Sequence, residues 1–67
     1  MIEITLNGEA RQLDPATNIG RLLEDLGYAG KRVAVEKNGA IVPKSHHGHT
    51  PVEAGDRIEI VVAVGGG

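Results

Sequence analysis

Cysteine is absent from this 67-residue chain, which excludes disulfide staples, thiolate metal sites and any thiol nucleophile. Phe and Trp are absent too, leaving Tyr28 as the sole aromatic apart from three histidines. Seven Lys and Arg are scattered among nine Asp and Glu, so no basic stripe forms. Phosphate contacts and base stacking therefore have little to work with, and no nucleic-acid partner is expected. Long apolar runs are also missing. Met1 passes at once into alternating residues, without a basic leader or a cleavage site, and neither secretion nor a membrane partner is expected. A reducing cytoplasm is compatible with the missing cysteines and is the expected location.

A chain of this size hides only ~60% of its unfolded surface, enough for one thin core and no enclosed substrate cavity. Its apolar residues, 40% of the total, are almost wholly Val, Ile, Leu and Ala. That share suffices for a folded body.

Ile2, Ile4 and Leu6 alternate with Glu3 and Thr5, the period of a half-buried strand. Asn7-Gly8 supplies the positive φ angles of a tight hairpin turn, and residues 9–13 return as a second strand with Leu13 inward. Asp14-Pro15 breaks it. Ile19, Leu22, Leu23 and Leu26 then fall on one helical face, with Thr17 or Asn18 as N-cap and Gly27 where a left-handed C-cap belongs. Val33 and Val35 open a third strand, a second Asn-Gly pair at 38–39 turns it, and Ala40-Ile41-Val42 return before Pro43. Residues 43–56 read as a loop. In the last strand Ile58, Ile60, Val62 and Val64 share one face, and Arg57, Glu59, Val61 and Ala63 share the other.

One helix laid over one face of a mixed sheet of about five strands satisfies all these apolar faces. This α+β layout is the β-grasp, or ubiquitin-like, fold, with the first and last strands side by side and parallel. The expected division is a β-grasp domain over 1–64 and a flexible glycine tail over 65–67.

Gly65-Gly66-Gly67 is the feature that most needs explaining. A flexible end or an expression remnant is one reading. Against it, the tail follows an apolar strand without a polar spacer and is expected to end the chain. Three glycines reach ~10 Å and can thread a channel too narrow for any Cβ. A terminal carboxylate, ionised at neutral pH because its pKa is about 3.5, is a poor electrophile until it is converted to an acyl-adenylate. Val61 and Ala63, with Val64 leading into the tail, form either a docking strip or ordinary scattered surface apolars.

His46, His47 and His49 form the only other cluster. They lie in a Gly- and Pro-flanked loop without an evident fourth ligand, and are expected to be solvated rather than to bind metal. Ser45 beside His46 lacks an orienting group, so hydrolase chemistry is not expected. Gly55-Asp56 reads as a turn whose carboxylate accepts backbone hydrogen bonds.

Three stretches carry a family resemblance. Val35-Glu36-Lys37-Asn38-Gly39-Ala40-Ile41-Val42-Pro43 resembles a "V-x-x-N-x-x-I-V-P" segment. Gly55 through Val61 resembles "G-D-R-I-E-I-V", and Val64 through Gly67 resembles a terminal "V-G-G-G". These are the marks of the ThiS family of thiamine-biosynthesis sulfur carriers, and the resemblance covers essentially the whole chain. Many relatives carry an aromatic at or near the positions of His47 and Ala63, which this chain lacks. The resemblance implies a protein co-substrate rather than an enzyme, with no cofactor bound. A ThiF-like adenylating enzyme would use MgATP to activate the carboxylate of Gly67. Sulfur from a cysteine desulfurase or another donor would convert it to a thiocarboxylate, and a ThiG-like thiazole synthase would take that sulfur. Gly65 and Gly66 would thread the partner's active site. The small subunit of molybdopterin synthase, a carrier for tRNA thiolation and a β-grasp binding module without acyl chemistry are the alternatives.

Overall fold

The computed structural model describes residues 1–63. Strands β1 (Ile2–Leu6) and β2 (Glu9–Leu13) form a hairpin, followed by α1 (Ile19–Asp25). A second hairpin joins β3 (Val33–Lys37) to β4 (Ala40–Val42), a 3-10 helix spans Lys44–His49, and β5 (Arg57–Val62) closes the domain. Spatial order in the sheet is β2-β1-β5-β3-β4, with β1 and β5 parallel and the other pairs antiparallel. The expected α+β β-grasp layout is present.

Both Asn-Gly pairs make two-residue turns with positive φ at each position: 49° and 83° at Asn7 and Gly8, 53° and 85° at Asn38 and Gly39. That is the type I′ geometry whose twist matches the flanking strands. In α1, Asn18 rather than Thr17 is the N-cap, its side chain accepting from the Arg21 N–H at 2.8 Å. The helix ends in a Schellman motif. Gly27 takes φ 82°, its N–H donates to the Glu24 carbonyl, and the Tyr28 N–H donates to that of Leu23.

Ile19, Leu22 and Leu23 of α1 pack on Ile4, Leu6, Val35, Ile58 and Ile60 of the sheet, with Val52 completing the core. Each such side chain contributes about 1.5–3 kcal/mol of burial. The inward face of β5 thins towards its end, where Val62 is already 38% exposed.

Residues 43–56 are more ordered than a plain loop. Thr50 accepts from the Ile19 N–H, and the Val52 N–H donates to Thr17, tying this segment to the start of the helix. The 3-10 helix lies close against α1. A Cβ on Gly20 would stand 3.3 Å from the Gly48 Cα, so glycine at 20 permits the approach.

Asp56, 7% exposed, holds the next turn. Its carboxylate accepts from the Glu53 N–H at 2.8 Å and the Asn38 side chain at 3.0 Å, with the Lys37 ammonium 3.5 Å away. Burial pushes this carboxyl up, but those hydrogen bonds and the Lys37 charge outweigh it and hold it below the ordinary carboxylate value. A depressed pKa means that the unfolded chain takes up the proton more readily. The stabilisation is therefore fully present above about pH 4, where the unfolded carboxyl titrates, and is lost as pH falls through the lower folded value. Asp56→Asn should cost about 1–3 kcal/mol at neutral pH. Acid titration of the melting temperature checks this: the gap between wild type and variant should narrow below pH 4, and a constant gap would refute it.

Candidate functional site

Both hairpins deliver β5 to the middle of the sheet, paired with β1 on one side and with β3 on the other. The pairing with β3 runs to Val33↔Val62, and the Ala63 N–H still donates to the Arg32 carbonyl. The strand that leads toward the glycines is therefore firmly held up to residue 63. Val64, Gly65, Gly66 and Gly67 lie outside the described residues.

Because Val35, Ile58 and Ile60 point into the core, their neighbours on β3 and β5 face away from α1. Val61, 65% exposed, stands opposite Ala34, and Glu59 stands opposite Glu36. Ile41, 64% exposed, faces Glu36 from β4. Val61 and Ala63 are thus exposed as the docking strip requires, and Ala34 and Ile41 widen it into a patch beside the acidic pair. Ile41 was not singled out from the sequence. Its signal was there: an Asn38-Gly39 turn sets Glu36 opposite Ile41, and alternation with the inward Val42 then turns Ile41 outward.

The three histidines part company. His46 and His49 are exposed, whereas His47 is buried, correcting the expectation of a solvated triplet. The 3-10 helix turns His47 inward, where Nε2 lies 3.1 Å from the Val42 carbonyl oxygen. A carbonyl only accepts, so Nε2 carries the proton and donates. The ring thus fastens the segment after Pro43 to the end of β4. Among the described residues no three His, Cys, Asp or Glu side chains converge in a way that could hold a metal ion. Ser45 and His46 are both exposed, and no hydrogen bond joins their side chains. No helix among the described residues is long and apolar enough to cross a membrane.

The crystal structure of a thiamine biosynthesis protein (ThiS) from Geobacter metallireducens superposes with a TM-score of 0.82 and 33% identity, covering 98% of this chain and 100% of that one. Two proteins named thiazole synthase, from Paramagnetospirillum magneticum and Magnetococcus marinus, are 41% and 39% identical over 66 residues. The match takes in 98% of this chain, which spans about a fifth (20%) of the length of each of those relatives. A family model described as the ThiS family matches residues 4–67. By its sequence and its fold alike, the chain belongs to the ThiS family.

Proposed function

We propose that the chain is a sulfur carrier for thiazole formation in thiamine biosynthesis, acting in the cytoplasm as a protein co-substrate rather than a catalyst. The observation that carries this reading is the family match, which runs through Gly67 on a body whose last strand is pinned up to Ala63. A rigid body holding a side-chain-free leash suits a group that must be presented inside other proteins' active sites.

The chemistry takes place at the Gly67 carboxylate. One of its oxygens attacks the α-phosphorus of MgATP bound by a ThiF-like adenylating enzyme, and pyrophosphate leaves. The acyl-adenylate is then attacked at carbon by hydrosulfide from a donor, or by a desulfurase persulfide whose S–S bond a thiol reductant then cleaves. AMP departs and a thiocarboxylate remains. A ThiG-like thiazole synthase accepts that sulfur. Support for this partner comes from the two relatives named thiazole synthase, in each of which a stretch similar to this chain makes up about a fifth of the length (20%). Gly65 and Gly66 thread the active sites, while Val61, Ala63 and Val64, joined by Ala34 and Ile41, form the docking surface.

Intact mass tests the reading. After incubation with the adenylating enzyme, MgATP and a sulfur donor, the chain should gain the difference between one sulfur and one oxygen. An unchanged mass, under conditions that convert an established carrier, would sink it.

A further inference from the structure

An open groove of about 510 Å³ lies between α1, the 3-10 helix and the start of β3. Leu23, Tyr28 and Val33 line it, as does Ala63 where β5 has just ended. Lys31, Arg32 and Lys44 also line it, whereas no Asp or Glu does. In a chain of net charge −2, where acids outnumber Lys and Arg nine to seven, this is a local reversal of sign. Such a surface draws in and orients negative groups.

The backbone adds a second feature. The β3–β4 ladder stops at Val35↔Val42, because the chain leaves the sheet at Pro43 and enters the 3-10 helix at Lys44. Successive residues of a strand turn their backbone groups to opposite sides. The Asn38 N–H donates to Arg57, and the Arg32 carbonyl accepts from Ala63, so the even-numbered residues of this stretch address β5. Odd-numbered residues address the other edge. There Lys37 and Val35 meet Ala40 and Val42, but Val33 has no opposite residue. Among the described residues its N–H and C=O form a short open edge beside the groove.

We propose that this groove receives an extended acidic segment of the sulfur-accepting synthase. The segment takes the place that β4 vacates, pairing with the N–H and C=O of Val33. One apolar side chain rests on Tyr28 and Leu23, and its carboxylates meet Lys31, Arg32 and Lys44. Strand addition draws affinity from main-chain bonds and specificity from side-chain pockets, and this groove has both. Ala63, which also lines the groove, sets the contact beside the strand that leads toward the glycines, so the synthase would be fixed next to the group it consumes. The inference rests on the carrier reading and adds the chemistry of the partner's contact.

Titrating the isotope-labelled chain with the synthase, followed by NMR, tests it. The Val33 amide should become protected from exchange, and the signals of Gly20, Tyr28 and Lys44 should shift. A Lys31→Glu, Arg32→Glu, Lys44→Glu variant should bind the synthase about tenfold more weakly and with a flatter salt dependence. Its conversion to the thiocarboxylate, read by mass, should persist. Unchanged Val33 exchange with unchanged affinity of the variant would overturn the groove and leave the carrier reading standing. Failure of the wild-type chain to form a thiocarboxylate would instead strike the carrier reading. Groove shifts in the free chain on raising its concentration, or on deleting residues 64–67, would give the site to a second copy or to the chain's own end. Either result would overturn the proposal.

Discussion

Deleting Gly67 should abolish thiocarboxylate formation while leaving the melting temperature nearly unchanged. The shortened chain still ends in a glycine carboxylate, so the reacting group is chemically the same. What changes is reach. One residue less withdraws the carboxyl carbon by about 3.5 Å, and a misplacement of even about 1 Å can cost a hundredfold in rate. On the proposed docking through the patch around Val61 and Ile41, the shortened end could not advance without breaking that contact. Intact mass after incubation with the adenylating enzyme, MgATP and sulfur donor reads the chemistry, and thermal unfolding reads the fold. Conversion at the wild-type rate would mean that the tail is not a measured leash. A large fall in melting temperature would mean that the tail belongs to the domain.

The second large effect is expected far from the tail, at Asn7. This residue turns the first hairpin and also completes the sheet. Its side-chain Oδ1 accepts from the Ile60 N–H at 2.7 Å, and its Nδ2 donates to the Ile60 carbonyl at 3.2 Å. The Asn7 N–H already donates to Ile58, so the side-chain amide acts as one more peptide in the β1–β5 ladder after the chain has turned away at Gly8. Asn7→Gly keeps the positive φ but leaves both Ile60 groups without their partner. Its expected cost is about 2–3 kcal/mol, which corresponds to roughly 10–20 °C in a domain of this size. Asn7→Asp tolerates the turn and keeps an acceptor for the Ile60 N–H, but it offers no donor to the carbonyl and should lose an intermediate amount. If Asn7→Gly melts within about 2 °C of wild type, the ladder role is wrong.

These two asparagines show what the sequence reveals and what it conceals. Asn-Gly announces a turn because the requirement for positive φ is local. The helix was legible for the same reason, since apolar spacing, cap and terminal glycine all lie within a dozen residues. The second duty of Asn7, and that of Asn38, whose Oδ1 accepts from the Arg57 N–H at 2.8 Å, involve partners 53 and 19 residues away. Only the assembled sheet brings them together. His47 was misread likewise, because its burial depends on a 3-10 helix that Gly20 allows to settle against α1. On the proposed docking surface, the exposure of Val61 and Ala63 follows from alternation along one strand. Ile41 and the open edge at Val33 depend on register between strands.

The central position of β5 also constrains the order of events during synthesis. β5 is made after the other four strands, yet it alone joins the two hairpins. Until it leaves the ribosome, β1–β2 and β3–β4 share no strand, only the short helix α1 can lie against both, and each ribbon is marginal by itself. The domain must therefore fold nearly all at once, after translation of its last strand rather than during it. Where a similar stretch forms part of a longer polypeptide, whatever is translated after it gives β5 time to emerge and take its place while synthesis continues.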